Sequence, residues 1–464
     1  MKPLGRIGAA RVMFSVLGLA VLGLLVSPRV SLAKNSIFYG DGAAISGGSG
    51  MAVYTGAGAA WYNPAGLVST QRSQVDLSAS LFILSLRDTS GLVETRLGGQ
   101  TYRGDLDAVG FHSIPTSLVF KRRLSKRVHG ALGVFVTDFD RYRVNHEILV
   151  EDAQGGDTGR YYQRTSIDHE RQTYHLGLLL GIALSERVRL GLALYGVYST
   201  YSYEYRDLMA SHTQLGLSNS LADPFQWNQS VSAQSTIFGL QLVTGLQWEF
   251  VRNWHLGLTL RSPVYEAYHK NSLDEVVATV DHHLDGSGGG YFARARGENP
   301  GTELVAPAVV VLGLGYTVPK VFVGVEGELQ LPIQNFQRLL DYSPQFNVRA
   351  GTRFYVSPRV ALGFGFFTER TMRKGLHFIG DREMDFYGAV LGLKWRRVVA
   401  LSDAESAKNL VLSTTVCVRY AYGVGSLQGY LNDLDSPSLG ASGPIRRDHE
   451  VHETALYLGS SLYF

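Results

Sequence analysis

An alternation of apolar residues with polar or small residues runs through this chain and governs how it can fold. In the stretch 236–250, Phe238, Leu240 and Leu242 share one parity, while the other parity carries mostly Gly, Gln and Glu. Successive side chains of a β-strand point to opposite faces, so this period of two predicts strands with one apolar face. The same pattern recurs near 176–184, 188–194 and 346–356.

The C-terminus repeats the pattern and ends on an aromatic residue. Leu458, Leu462 and Phe464 fall on one parity, and Tyr457 and Gly459 fall on the other. This is the alternation of a strand with lipid on one side and a polar lumen on the other. The spacing Gly459-x-x-Leu462-x-Phe464 resembles the insertion signal that the barrel-assembly machinery reads, so that machinery is an expected partner.

The chain lacks the apolar runs of a helical membrane protein. After residue 33 no run reaches the roughly 18 apolar residues of a membrane-spanning helix, and the nearest, 306–325, is interrupted by Tyr316, Pro319 and Lys320. Gly (53) and Tyr (25) are abundant. Inside lipid, only helices and closed barrels satisfy every backbone polar group. The sequence therefore predicts a closed barrel.

Connections of two lengths alternate between the predicted strands, as in barrels with short turns at one end and long loops at the other. Six short and seven long connections join 14 strands. We therefore expect an all-β fold, a 14-stranded antiparallel transmembrane β-barrel over residues 74–464. The short connections are 125–127, 185–187, 252–253, 319–320, 357–359 and 401–405. The long ones are 88–107, 143–171, 206–230, 269–303, 337–344, 373–383 and 428–448.

Residues 1–33 have the features of a cleaved signal peptide, because basic residues precede an apolar run and Ser31-Leu32-Ala33 offers a cleavage site. Its removal takes away four basic residues and changes the formal charge from +3 (43 − 40) to −1 (39 − 40). No basic surface for nucleic acid is then expected. The single Cys417 excludes an intramolecular disulfide. We expect export to the outer membrane of a Gram-negative bacterium.

The segment 34–73 is rich in Gly and Ala and does not alternate. A barrel of 14 strands encloses a lumen too wide for its own side chains to fill. Apolar residues such as Val53, Trp61 and Leu67 favour burial of the segment over the alternative, a disordered leader. We expect it to be an N-terminal hatch that plugs the lumen.

Several motifs together resemble the FadL family. Asn63-Pro64-Ala65 follows the Gly/Ala-rich stretch and precedes the first strand, and a strand containing Pro115 and a Gly-alternating strand (130–135) come next. The resemblance implies a 14-stranded outer-membrane transporter of long-chain fatty acids or other hydrophobic molecules, with Asn63, Pro64 and Ala65 as its hatch motif. Residues 136–140 read Val-Thr-Asp-Phe-Asp, where the family often has Pro-Phe-Gly at a kink that opens the wall sideways.

Two groups of residues are candidates for cargo binding. Arg349 and Arg353 have lumen parity and suit a fatty-acid carboxylate, although a structural ladder with Glu326 and Glu328 is the alternative. Five apolar residues in the predicted loop 206–230 suit an external capture site, although they could instead pack the loop onto the barrel rim. These five are Leu208, Met209, Leu215, Leu217 and Leu221.

No catalytic motif, metal site or cofactor is expected, because the His residues are scattered and no His-Glu-x-x-His or Gly-x-Ser-x-Gly occurs. We do not expect an enzyme. We expect a monomer whose partners are outer-membrane lipid and lipopolysaccharide. Its expected activity is facilitated diffusion of a hydrophobic small molecule, a fatty acid or a hydrocarbon. A general porin and a closed structural or adhesive surface barrel are the alternatives.

Overall fold

The computed structural model describes most of the chain after residue 37. The predicted signal peptide therefore lies outside the described residues. Among those residues, no helix is both long and apolar enough to cross a membrane. The described ranges are 38–69, 72–88, 90–97, 99–105, 108–152, 159–211, 225–281, 290–297, 307–335, 340–370, 373–374, 379, 382–399, 410–433 and 443–464.

Three short helices precede a series of strands. The helices are α1 (Asp41–Ile45), α2 (Gly56–Tyr62) and a 3-10 helix (Pro64–Ser69). The strands are β1 (Gln74–Asp88), β2 (Val93–Leu97), β3 (Gln100–Gly104), β4 (Ala108–Arg123), β5 (Val128–Asp152), β6 (Gly159–Ala183), β7 (Val188–Ser211), β8 (Phe225–Val251), β9 (Trp254–Arg261), β10 (Tyr265–Asp281), β11 (Gly290–Gly297), β12 (Val309–Val318), β13 (Val321–Gln330), β14 (Ile333–Asn335), β15 (Leu340–Tyr342), β16 (Gln345–Tyr355), β17 (Val360–Glu369), β18 (Arg373–Lys374), β19 (Arg382–Val399), β20 (Leu410–Asp433) and β21 (Gly443–Tyr463).

These strands close into a 14-stranded antiparallel barrel, as predicted. The first strand β1 pairs with the last, β21, and also with β4. Two of the 14 barrel strands are each made of two pieces. β9 and β10 both pair with β8 and together form one barrel strand, and the next is formed by β12, which pairs with β9, and β11, which pairs with β10. The short connections lie at one end, here called the turn end, and the long ones at the other, the loop end. Strands β14, β15 and β18 form a separate small sheet.

The outer surface carries an apolar band. On β8, residues Phe238 and Phe250 mark the two ends of a row of exposed apolar side chains, which is about 40 Å along the strand and about 30 Å across a membrane at a tilt near 40°. Tyr198 lies 4.7 Å from Phe238, between ring centroids, in an aromatic row that Tyr174 and Tyr268 extend on either side. Such a belt marks the edge of the membrane-facing wall.

The predicted parity at the C-terminus is confirmed. Leu462 and Phe464 are exposed in the band, whereas Tyr457 and Ser461 are buried inside the barrel. The backbone N–H of Phe464 donates to the carbonyl of Ser73 at 3.1 Å, next to the β1–β21 ladder that closes the barrel.

The prediction of long loops was partly wrong, because several strands continue far beyond the apolar band. The stretch 143–171 is mostly β5 and β6, whose paired residues run as far as Asp152 and Gly159. Leu208 and Met209, predicted to lie in a loop, belong to β7. Tyr, Thr, Val and Ile recur in these extensions and favour strands even where neither face is uniformly apolar. The first long connection folds into a hairpin of β2 and β3.

Candidate functional site

The N-terminal segment, residues 38–69, lies inside the barrel near the turn end. Its apolar side chains form one buried core with inward-facing wall residues such as Phe135, Tyr195 and Phe367. The 3-10 helix contacts β5, β6, β7 and β8, and α1 contacts β17, β19, β20 and β21. The segment therefore touches strands on opposite sides of the wall. Its core members include Phe38, Tyr39, Ile45, Met51, Tyr54, Trp61 and Leu67.

Glycines of the wall accommodate the backbone of the segment. A Cβ at Gly191 would lie 2.1 Å from the nitrogen of Ala65, and one at Gly351 would lie 2.2 Å from the carbonyl oxygen of Ser46. A Cβ at Gly363 would meet the carbonyl oxygen of Ile45 at 2.2 Å. Real Cβ atoms do not approach this closely, so these wall positions require glycine in order to seat the segment. The alternating glycines of the sequence therefore have a packing role.

Asn63-Pro64-Ala65 forms the corner between α2 and the 3-10 helix. The side-chain amide of Asn63 donates to the carbonyl of Leu246 at 2.9 Å and to that of Leu258 at 3.5 Å. Its carbonyl oxygen accepts the backbone N–H of Ala65 at 3.1 Å. All three residues of the motif are buried. One side chain thus links the corner to β8 and β9 and also fixes the turn itself.

Charged residues of the wall hold the middle of the segment. The carboxylate of Glu326 accepts the backbone N–H groups of Gly50, at 2.5 Å, and Met51. Arg349 pairs with Glu328 at 2.9 Å and lies 4.0 Å from Glu326. This arrangement matches the Glu–Arg ladder that the sequence left open for Arg349, while its role toward a ligand stays a prediction.

The other predicted carboxylate ligand, Arg353, lies against the segment too. Its guanidinium carbon is 4.0 Å from the ring centroid of Phe322, a cation–π contact. A Cβ at Gly42 would lie 2.9 Å from Nη1 of Arg353, so this arginine packs closely on α1. Arg349 and Arg353 are therefore brought together on β16, but both face the N-terminal segment.

The start of the segment is tied to the last strands. The carboxylate of Asp41 pairs with Lys394 at 2.9 Å and accepts from Ser413 and Ser461, each at 3.2 Å. A Cβ at Gly459 would lie 2.6 Å from this carboxylate. Gly459, predicted from sequence as part of an insertion signal, therefore also makes room for Asp41, which sequence reasoning missed.

Aromatic rings fill the space on the loop-end side of the segment. The rings of Tyr39, Trp61 and Phe135 lie about one ring apart, at 4.9 to 5.3 Å between centroids. The guanidinium of Arg261 covers Trp61 at 4.4 Å. Burial raises the pKa of the Tyr39 hydroxyl well above its usual range, so it remains a proton donor. This hydroxyl donates to the carbonyl of Val136 at 2.7 Å.

The barrel wall is interrupted beside Val136. Strands β4 and β5 pair only from Ser117–Phe135 to Arg123–His129, although both strands continue toward the loop end. In the described residues, 108–116 of β4 therefore form no ladder with 136–152 of β5. A β-bulge on β5, where Thr137 is the extra residue between Val136 and Asp138, coincides with the start of this open seam.

The open seam lies beside apolar surface. On β4 the released residues run along the part of β1 that carries Leu84 and Leu86, both exposed in the outer band. Inside, Val136 packs with Ile83 and Ala455. The hydroxyl of Thr137 lies 3.0 Å from Nδ1 of His175. The missing part of the ladder therefore lies between an apolar cluster on the inner side and exposed leucines on the outer side, and it occurs without a Pro-Phe-Gly sequence on β5.

Two of the five predicted capture residues, Leu208 and Met209, lie in the described part of the chain. Met209 is buried and Leu208 is half-buried in β7, and neither lies on an exposed loop. Leu215, Leu217 and Leu221 lie outside the described residues. Across the described part of the chain, no group of three or more His, Cys, Asp or Glu residues is arranged to hold a metal ion.

Comparison with known proteins gives a likeness of structure without one of sequence. No protein-family model matches the chain, and no curated protein sequence matches it. A Pseudomonas aeruginosa FadL homologue aligns with 94% of this chain and 99% of its own, at 12% identity and a TM-score of 0.58.

Two further solved structures align over most of the chain. The Pseudomonas putida toluene transporter TodX covers 91% of this chain and 97% of its own, at 14% identity and a TM-score of 0.50. The monoaromatic hydrocarbon channel CymD covers 93% and 99%, at 12% identity and a TM-score of 0.50. The resemblance predicted from the motifs is thus confirmed in the fold, and this chain has the barrel fold of the FadL-type transporters.

Proposed function

We propose that this protein is an outer-membrane transporter that lets hydrophobic small molecules cross by facilitated diffusion, with residues 34–73 as its hatch. The turn end then faces the periplasm and the loop end faces the medium, as in barrels inserted from the inside. The cargo class is a long-chain fatty acid or an aromatic hydrocarbon. The solved structures with this fold include a FadL homologue, a toluene transporter and a monoaromatic hydrocarbon channel.

The open β4–β5 seam is the observation that carries this proposal. The N-terminal segment fills the lumen up to the level of Phe135 and Val136, and the β4–β5 ladder ends at Phe135. A water-soluble solute would gain nothing from an opening toward lipid. A hydrophobic molecule gains free energy on leaving an aqueous environment for hydrocarbon, so a sideways exit suits that cargo.

The packing of the N-terminal segment in the lumen disfavours a general porin. A porin needs a water-filled axial path, whereas here the segment is packed against opposite sides of the wall. The closed structural barrel remains the competing function, because it requires neither a seam nor a cargo. Uptake measurements separate these possibilities.

The test is uptake of radiolabelled oleate and of radiolabelled toluene by cells that lack their own transporters. Wild-type protein is compared with Asn63→Ala/Pro64→Ala at equal surface expression, with Asn145→Ala on the exposed face of β5 as the matched control. The proposal expects uptake of at least one compound by wild type and by Asn145→Ala, and reduced uptake by the double variant. Absence of uptake of both compounds by wild type would favour a closed structural barrel.

A further inference from the structure

The first long connection is folded inward. Its hairpin, β2 and β3, turns at Gly99, which has a φ of 75°. Leu92, Val93 and Thr95 are 2% exposed or less, although they belong to a connection at the loop end. A solvent-facing loop would leave such side chains in water, so the first arm of the hairpin, residues 91–95, lies in the interior, while Arg96 and most of β3 remain exposed.

The hairpin packs into the lumen near the loop end. Leu92 and Val93 join a buried cluster that is separate from the core of the N-terminal segment. The wall strands that contribute to this cluster lie on different sides of the barrel. The wall members are Val144 of β5, Ile167 of β6, Tyr203 and Tyr205 of β7, Ala233 of β8 and Leu427 of β20. The buried arm of the hairpin therefore contacts wall strands on both sides of the lumen at this level.

A short ladder and a charge cluster hold the hairpin in place. Residues Val93–Arg96 pair in parallel with Tyr430–Asp433 of β20. The carboxylate of Glu94 pairs with Arg447 and lies 3.6 Å from Arg103. Arg447 also donates from Nε to the carbonyl of Gly91 at 2.9 Å.

The opposite side of the barrel holds the hairpin as well, because Thr95 donates to the side chain of Gln163 at 2.6 Å. These attachments are few compared with those of the N-terminal segment. A four-residue ladder is short, and the side chains of Arg96, Arg103 and Arg447 are 47%, 60% and 28% exposed. Glu94 is itself buried, but its arginine partners reach solvent, and ion pairs screened by water contribute little net stability. We therefore expect the hairpin to be held less firmly than the N-terminal segment.

We propose that the hairpin 91–104 is a second gate, in series with the N-terminal segment, whose apolar base, Leu92 and Val93, occupies the place where a hydrophobic cargo first binds in the lumen. Cargo and the pair Leu92–Val93 then compete for one apolar site lined by Tyr203 and Tyr205. This inference rests on the proposed function for the identity of the cargo, but the serial closure can be measured without any cargo.

The cargo-free test is ion conductance in planar bilayers. Four proteins are compared: wild type, a deletion of 34–67, a replacement of 91–104 by a short Gly-Ser linker, and the combination. Two closures in series predict that each single change leaves conductance close to that of wild type, whereas the combination gives a wide-open pore. Full conductance after either single change would overturn the serial gate. Heat-modifiable migration in gels shows which variants form barrels.

A cysteine pair tests the gate without deleting anything. Arg96 and Asp433 are partners in the β2–β20 ladder, and paired Cα atoms of neighbouring strands lie within the range that a disulfide spans. Both side chains are partly exposed. The variant Arg96→Cys/Asp433→Cys locks the hairpin when oxidised, and the buried Cys417 does not interfere. Cargo uptake should fall about tenfold on oxidation and return on reduction. The single-cysteine variants should respond to neither treatment.

The two tests separate the two proposals. If the fully oxidised Arg96→Cys/Asp433→Cys protein transports cargo at the wild-type rate, the hairpin need not move and the gate is overturned. Wild-type protein without any cargo uptake would reject the proposed function, and the conductance series would then still decide whether the hairpin closes the lumen.

Discussion

Asn63 anchors the corner of the N-terminal segment to the barrel wall. Its side chain bonds the carbonyls of Leu246 and Leu258 and the N–H of Ala65. Asn63→Ala should lower the free energy of unfolding by about 2–3 kcal/mol, because buried partners lose their bonds. Thermal unfolding in detergent measures this loss, and Asn145→Ala should unfold like wild type. An Asn63→Ala protein as stable as wild type would show that the corner is not an anchor.

Arg349 is predicted to serve the structure rather than the cargo. Arg349→Met leaves Glu326 and Glu328 without their cation and should cost about 3–5 kcal/mol of stability, as for one partner removed from a buried pair. Arg349→Met/Glu328→Met should recover much of that loss. If Arg349 instead binds a fatty-acid carboxylate, oleate uptake should fall in the single and the double variant alike, while toluene uptake is unchanged.

At the scale of residues, sequence predicted the identity of the anchoring motif but not its contacts. Asn63-Pro64-Ala65 is recognisable because the three residues are adjacent. The need for glycine at position 459 is not recognisable in the sequence. The side chain of Asp41 occupies the place of a Cβ there, and Asp41 lies more than 400 residues away in the chain. The pairing of Arg349 with Glu328 follows from their shared parity on neighbouring strands. The sequence alone could therefore suggest it as the alternative to a role in ligand binding.

Strand β7 offers a matched pair of glycines for testing how the wall seats the segment. Gly191 faces inward, where a Cβ would overlap the backbone of Pro64 and Ala65, whereas a Cβ at Gly196 would meet only the carbonyl oxygen of Leu176, at 3.9 Å. Gly191→Ala should displace the segment and cost about 1–3 kcal/mol, seen as a lower unfolding temperature. Gly196→Ala should be neutral, and equal effects of the two would contradict the proposed fit.

At the scale of elements, the alternation of apolar residues predicted the membrane-facing strands well, since lipid requires one apolar face. It failed beyond the membrane, where β5 to β8 continue with polar residues on both faces. There the register is kept by neighbouring strands, which a single sequence does not reveal. The inward fold of the β2–β3 hairpin was missed for the same reason, because Leu92 and Val93 find their partners on distant strands.

At the scale of the whole molecule, the two closures and the seam form an ordered path. Phe135 belongs to the core of the N-terminal segment and Val144 to the cluster of the hairpin. The seam begins between them, at Val136. A cargo that passes the hairpin would thus reach the lateral opening before it reaches the segment. Residues 136–140 gave no sign of this opening in sequence, because the extra residue of β5, Thr137, makes its bulge without Pro or Gly. On the other side of the seam, Thr116 of β4 is extra opposite β1, next to Pro115.

The most direct test of lateral passage is removal of these extra residues. Because β4 carries a bulge of its own at Thr116, the variant deletes Thr137 and Thr116 together. This should restore one-to-one pairing of β5 with β6 and of β4 with β1 at this level, and let the β4–β5 ladder continue beyond Ser117–Phe135. Uptake of labelled oleate or toluene should then fall about tenfold, because the exit is closed, while Thr137→Ala, which keeps the bulge, should transport like wild type. A deletion variant that forms the barrel and still takes up cargo at the wild-type rate would contradict lateral passage.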